Sequence, residues 1–179
     1  MNLPNVDFFA EENHREKPRR YTLFGINDGV EEGDLKGCAY TTTNGEPTSW
    51  NAEVDNRDAK EVCFLPLDHN IVIHPKPDET YSLCDGMLYH ASWVAFVELK
   101  VKKSDWISEN IAQLRSTIEL FLANHDVKKY KYRFAYAANR KFPRFNTSHK
   151  REMQEFHQKT GFRLLIQNRI SVKAPATTL

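Results

Sequence analysis

Residues 94–101 read Val-Ala-Phe-Val-Glu-Leu-Lys-Val, an apolar run broken only by Glu98 and Lys100. A run this rich in β-branched and apolar residues reads as a strand. Side chains alternate along a strand, so Glu98 and Lys100 project from one face and Leu99 from the other. Residues 81–88, Tyr-Ser-Leu-Cys-Asp-Gly-Met-Leu, read as a second strand. Tyr89 to Trp93 is about the right length for a hairpin connection between the two. An antiparallel neighbour then brings Asp85 up beside Glu98 and Lys100, thirteen residues before Glu98 in sequence.

Two carboxylates converging with a lysine suit divalent metal binding and phosphodiester hydrolysis. The following stretch adds to that pattern. Residues 105–125 carry Ile107, Ile111, Leu114, Ile118 and Phe121 at helical spacing, with Ser104 as an N-cap. Gln113 lies on the flank of that apolar face, near Trp106, Asn110 and Thr117. Taken singly, Glu-x-Lys is also the pattern of a cross-strand ion pair, and Asp before Gly that of a turn. The joint order is strand with Asp, strand with Glu-x-Lys, helix with Gln.

This order, over roughly residues 70–170, resembles the PD-(D/E)xK nuclease superfamily, in the exonuclease-like branch that carries a glutamine on the following helix. The resemblance implies that Asp85 and Glu98 are metal ligands, with the Leu99 carbonyl as a third. It implies that Lys100 orients the attacking water or stabilises the transition state, and that Gln113 supports the site. Cys84 stands where the motif's proline would be. The acidic residue that such enzymes carry on an earlier helix is left open among Glu16, Glu53 and Glu61.

The element pattern leads to the same class. A short helix over about 6–16 is stopped by Pro18. Strands are expected at Tyr21–Ile26, before the Asn27-Asp28-Gly29 turn signal, and at Cys38–Thr42, before Asn44-Gly45. Further strands are expected at Glu61–Leu65 and Asn70–His74. Beyond the long helix, residues 128–137 alternate, with Tyr130, Tyr132, Phe134 and Tyr136 on one face. That aromatic face is expected to pack on a helix. A helix from Ser148 to about Thr160 should end on Gly161 in a left-handed turn, and Arg163–Val172 should close as one strand. The expectation is an α/β fold in one domain: a mixed central sheet flanked by helices, restriction-endonuclease-like over 70–172. A β-rich N-terminal extension covers 1–66, and a tail covers 173–179.

Length and composition fit an ordinary globular chain of 179 residues. No apolar run is long enough to span a membrane, and the first residues lack the basic and apolar regions of a signal peptide, so no membrane partner and a cytoplasmic location are expected. Cys38, Cys63 and Cys84 are odd in number and lack CxxC spacing, which points away from a disulfide framework or a zinc site. His69 and His74 are five apart, a spacing that puts them on different faces of a strand or helix.

The net charge of +1 hides a split. Residues 1–90 hold 8 Lys+Arg against 17 Asp+Glu, and residues 91–179 hold 17 against 7, giving −9 and +10. The basic half follows the Asp-Glu-Lys cluster, where a phosphate backbone would need positive charge. Lys102, Lys103, Lys128, Lys129, Arg140, Lys141 and Arg144 are the expected phosphate contacts. Two carboxylates suffice for Mg2+ or Mn2+, which take oxygen ligands and keep several waters. The expected function is therefore metal-dependent cleavage of nucleic acid, DNA before RNA. The alternative is a non-catalytic relative that binds nucleic acid or a protein partner, in the manner of an immunity or inhibitor protein, or a second copy of itself.

Overall fold

A computed structural model of the chain describes residues 3–29, 32–33, 35–73, 81–101, 106–141 and 149–173. Expectations for Ser104, Ser148, His74, Lys102, Lys103 and Arg144, and for the tail beyond residue 173, lie outside the described residues. The described chain is mixed α/β. One sheet has the strand order β2-β1-β3-β9, formed by β1 (Leu23–Asn27), β2 (Tyr40–Thr42), β3 (Ala52–Asp55) and β9 (Arg169–Ser171). The other has the order β4-β5-β6-β7-β8, formed by β4 (Cys63–Pro66), β5 (Gly86–His90), β6 (Trp93–Lys100), β7 (Tyr132–Asn139) and β8 (Arg163–Ile166). Helix α1 (Trp106–Asn124) connects β6 to β7, and α2 (Lys150–Thr160) connects β7 to β8. In the larger sheet, β4, β5 and β6 are antiparallel neighbours, and β6, β7 and β8 run parallel.

β6 is the central strand and every residue except Lys100 is buried. Its alternation divides the core into two layers. Val94 and Phe96 join Met87, Ala135, Ala137 and Leu164 against Leu114, Ile118 and Phe121 of α1 and Phe156 of α2. Ala95, Val97 and Leu99 join Leu88, Phe134 and Tyr136 against Phe24, Ile26, Val54 and Ile170 of the smaller sheet. Each buried Val, Leu, Ile, Met or Phe among them contributes about 1.5–3 kcal/mol, and each alanine methyl less. The aromatic face of β7 therefore packs on a sheet and not on a helix, correcting the expectation from sequence. The small Ala135 and Ala137 face the helices, where close approach is needed, and the rings fill the wider gap between sheets.

Other elements also differ from expectation. Residues 6–16 hold only a 3-10 turn, Glu11–Asn13. Side chains at and just past the end of α1 claim this segment instead: Asn124 Oδ1 accepts from Val6 N–H at 3.0 Å, and His125 Nε2 accepts from Phe8 N–H at 3.1 Å. Residues 70–73 form no strand, because Asn70 turns its side chain onto the carbonyls of Asn13 and Pro66. β3 was not foreseen. Arg163–Val172 is two strands in two different sheets, and β4, assigned from sequence to the N-terminal extension, pairs with β5 in the larger sheet. Helix α2 ends at Gly161, whose φ of 73° is the left-handed conformation glycine accommodates. Gly86 permits a close crossing: a Cβ there would lie 2.5 Å from Phe64 Cε2.

Candidate functional site

β5 and β6 are joined by a two-residue turn, since His90 pairs with Trp93. The register ends with Gly86 opposite Val97. One step further stand Asp85 and Glu98, which are therefore cross-strand neighbours on one face. Leu99 N–H donates to Asp85 Oδ2 at 2.5 Å, tying the carboxylate to the strand that carries Glu98. Lys100 follows on the same face, its Nζ 2.7 Å from Glu98 Oε1. Both parallel strands, β6 and β7, end here, and the carboxyl edge of such strands is where open α/β sheets bind ligands.

Burial sets the electrostatics. Glu98 is 0% exposed; Lys100 and the Asp85 N–H approach its carboxylate and favour its charged form, but neither oxygen receives a hydrogen bond of good geometry. The Lys100 contact is thus a charge pair, not a well-directed hydrogen bond. Burial, above all, raises Glu98 to about 7, with Lys100 opposing. Burial also raises Asp85 to about 8, with the charge of Glu98 adding to the rise and Leu99 N–H opposing it. Burial pulls Lys100 down, but Glu98, Asp85 and Asp28 outweigh it, and its pKa is raised. The two partners disagree: Lys100 gains from the pair, while Glu98 loses more to burial than Lys100 returns. Burial decides, because Lys100 keeps a quarter of its side chain exposed and Glu98 keeps none. Cys84 is fully buried, and burial followed by the two carboxylates drives its thiol pKa well up, so it packs as an inert group.

Helix α1 fixes the segment before Asp85. Thr117 Oγ1 accepts from Cys84 N–H at 2.8 Å, and Gln113 Nε2 donates to Leu83 O at 2.7 Å. Gln113 therefore acts on the backbone that delivers Asp85. No contact of its side chain with Asp85 or Glu98 is found among the described residues. On the other side β4 continues past its end, with Leu67 N–H bonded to Asp85 O and Asp68 N–H to Cys84 O.

The additional acidic residues come from unexpected places. Asp28, just past β1, lies within electrostatic reach of Lys100 and Asp85, and Asp68 within reach of Glu98. Burial raises the Asp28 pKa and Lys100 opposes that rise. Asp28 sat inside a turn signal, and turn chemistry was the whole of its local meaning. Of the three candidates read from sequence, Glu53 pairs with Arg169 at 2.7 Å and Glu61 with Arg20 at 2.6 Å. Glu16 binds Thr41 and Arg19. His69 pairs with Asp68 at 3.3 Å.

The basic residues divide between the two ends of the sheet. Arg140 and Lys141 follow β7 at the site end, and Arg140 N–H donates to Lys100 O at 3.3 Å. Lys128 and Lys129 precede β7, at the end where Trp93 pairs with Tyr132. At about 3.3 Å per residue the strand separates them from Lys100 by roughly 20–25 Å. Lys129 covers the rings of Phe9 and Tyr130 at 4.7 and 4.9 Å. These two lysines thus stand at the opposite end of β7 from Arg140. The −9 and +10 halves also interleave: Arg169 binds Asp55 as well as Glu53.

For a hard divalent cation the donor set is of the right type, carboxylate and carbonyl oxygen, with both Glu98 oxygens buried. Asp85 and Glu98 are the residues that would hold it, with the Leu99 carbonyl between Glu98 and Lys100. Among the described residues, no group of three or more His, Cys, Asp or Glu side chains is gathered closely enough to hold a metal ion. A divalent ion held by Asp85 and Glu98 would take water for the rest of its shell. Among the described residues no helix is long and apolar enough to cross a membrane. No protein-family model, curated protein or solved structure matches the chain.

Proposed function

We propose that the chain is a metal-dependent nuclease of the PD-(D/E)xK type, acting on DNA in preference to RNA. One observation carries this reading: a fully buried Glu98 carboxylate without a directed hydrogen bond, opposite Asp85 and beside Lys100 at the carboxyl edge of parallel strands. Burying a carboxylate in this way is costly unless it has a ligand to bind. The order β4, β5, β6, α1, β7, α2, β8 supports a restriction-endonuclease-like core.

A bound Mg2+ or Mn2+ would supply charge neutralisation at phosphorus and acidify water. The chain's own residues do the rest. Asp85 and Glu98 present oxygen donors. Lys100, protonated at neutral pH, places a point charge beside them to stabilise negative charge on the phosphoryl group. Gln113 and Thr117 hold Asp85 in register.

A second reading is favoured by the 2.7 Å Lys100 contact and by the lack of a three-ligand group among the described residues. In it Glu98 and Lys100 are a structural pair in a module that binds nucleic acid or a protein. The deciding experiment incubates purified protein with supercoiled plasmid and single-stranded oligonucleotides in Mg2+, Mn2+ or EDTA. Cleavage that needs metal, and that is lost in Asp85→Ala, Glu98→Ala and Lys100→Ala with cooperative melting retained, supports the nuclease. Absence of cleavage under every metal condition supports the binding module.

A further inference from the structure

A cleft of about 450 Å³ opens where Arg140, just past β7, meets the adjoining ends of β1 and β2. Its wall is built from Asn27 and Tyr40, which face each other across β1 and β2, with Asp28, Asn51 and Arg140. The two asparagines are locked. Asn51 N–H donates to Asn27 Oδ1 at 3.0 Å, and Asp28 N–H donates to Asn51 Oδ1 at 3.2 Å. Both carbonyl oxygens are thereby committed to backbone donors, which fixes the orientation of both amides and presents the NH2 groups as the remaining donors. Arg140 is anchored through Nη1 to Ser49 O at 2.8 Å, and this takes one of its five donors.

We propose that this cleft holds one unpaired nucleoside of a nucleic-acid strand, with the base against Tyr40 and the amides of Asn27 and Asn51, and Arg140 on the adjoining phosphate. The inference rests on the nuclease reading for the direction in which the strand leaves, since Asp28 lies within electrostatic reach of both Lys100 and Asp85. The volume falls within the about 300–1,000 Å³ of small-ligand sites and suits one nucleoside. An aromatic ring with fixed amide donors reads the face and edge of a base that has left its stack. A duplex buries base faces and shows its edges in grooves, which are reached by protruding elements and not by a concave wall. The substrate class is therefore single-stranded nucleic acid, or a strand end that has frayed.

The test is fluorescence anisotropy in Ca2+ with the full chain, using a short labelled single strand and its blunt duplex. The wild type should bind the strand about tenfold or more tightly than the duplex. Tyr40→Ala and Arg140→Ala should each weaken strand binding by about tenfold, and Tyr40→Phe should restore it. Equal affinity for strand and duplex, or unchanged binding in Tyr40→Ala, overturns the inference. Cleavage in Mg2+ by a wild type whose Tyr40→Ala variant binds and cuts normally leaves the nuclease standing and removes the cleft. Strand binding that depends on Tyr40, without cleavage in any metal, does the reverse.

Discussion

Glu98→Gln should make the protein more stable at pH 8 and leave it unchanged near pH 4. Gln keeps the shape of Glu98 and removes the charge that burial penalises. A carboxyl pKa raised from 4.5 to about 7 in the folded state means that the fold prefers the protonated form. The sign follows: between pH 4.5 and 7 the folded protein binds more protons than the unfolded chain, so wild-type stability falls as pH rises through that window. Below pH 4.5 the cost is absent, and above pH 7 it is complete at about 3 kcal/mol, taken as a ceiling. Lys100 would lose its partner, but it retains contact with water and can hydrate. A domain of this size shifts in Tm by about 2–4 °C per kcal/mol, so the variant should melt up to about 10 °C higher at pH 8. Differential scanning fluorimetry from pH 4 to pH 9 reads the effect. Added Mg2+ should raise the wild-type Tm at pH 8 and should not raise that of the variant. A variant that melts below the wild type at pH 8 refutes the reasoning, because the Glu98–Lys100 pair would then be a net stabilising structural bridge.

Thr117→Val should cost about 1–3 kcal/mol in chemical denaturation, because it leaves the buried Cys84 N–H without an acceptor; an unchanged midpoint would show that α1 does not position the Asp85 segment. Gly86→Ala should destabilise by at least about 1–3 kcal/mol, since the new methyl meets the Phe64 ring; urea unfolding monitored by tryptophan fluorescence checks it. His125 accepts from Phe8 N–H, and its pKa is depressed, first by burial and then by Lys129, with Asp7 opposing. Its neutral form therefore stabilises the fold, and that contribution is lost as pH falls below about 6.5. Amides of Val6 to Phe8 should exchange faster at pH 5 than at pH 7 after correction for intrinsic rates, and equal protection would rule this out. In a salt titration of nucleic-acid binding, Lys128→Ala with Lys129→Ala should leave the log–log slope unchanged, whereas Arg140→Ala with Lys141→Ala should flatten it by about one to two units.

What could be read from sequence was whatever depends on short-range periodicity. Glu98 and Lys100 share a face because strand period is two, and Asp85 joins them because a tight turn fixes the register thirteen residues away. Helix α1 announced itself through Ile107, Ile111, Leu114 and Ile118. The remainder depends on which distant segments meet. Asp28 reaches the site only because the two sheets stack, and no local pattern encodes that stacking. β3 reads Ala-Glu-Val-Asp, two acids that look solvated until Arg169 arrives from the far end of the chain to neutralise both. The break between β8 and β9 falls inside a continuous run, where Gln167 turns its amide onto Arg169 O at 2.6 Å. Lys128 and Lys129 look like part of one basic tract, but β7 carries the chain the length of the sheet before Arg140 appears.

The parallel pairing of β3 with β9 also bears on how the molecule assembles. Glu53, Val54 and Asp55 wait for Arg169, Ile170 and Ser171, residues made after the other strands and helices found among the described residues. During synthesis the edge of β3 stays open, exposing Val54 and the backbone donors that β9 later takes. Closing so long a loop is entropically slow, so capture of β9 should follow growth of the larger sheet. Until that capture, the open edge is the place where two nascent chains could pair with each other. A peptide spanning β9, supplied in excess during refolding, should compete for that edge and trap the chain one strand short of completion.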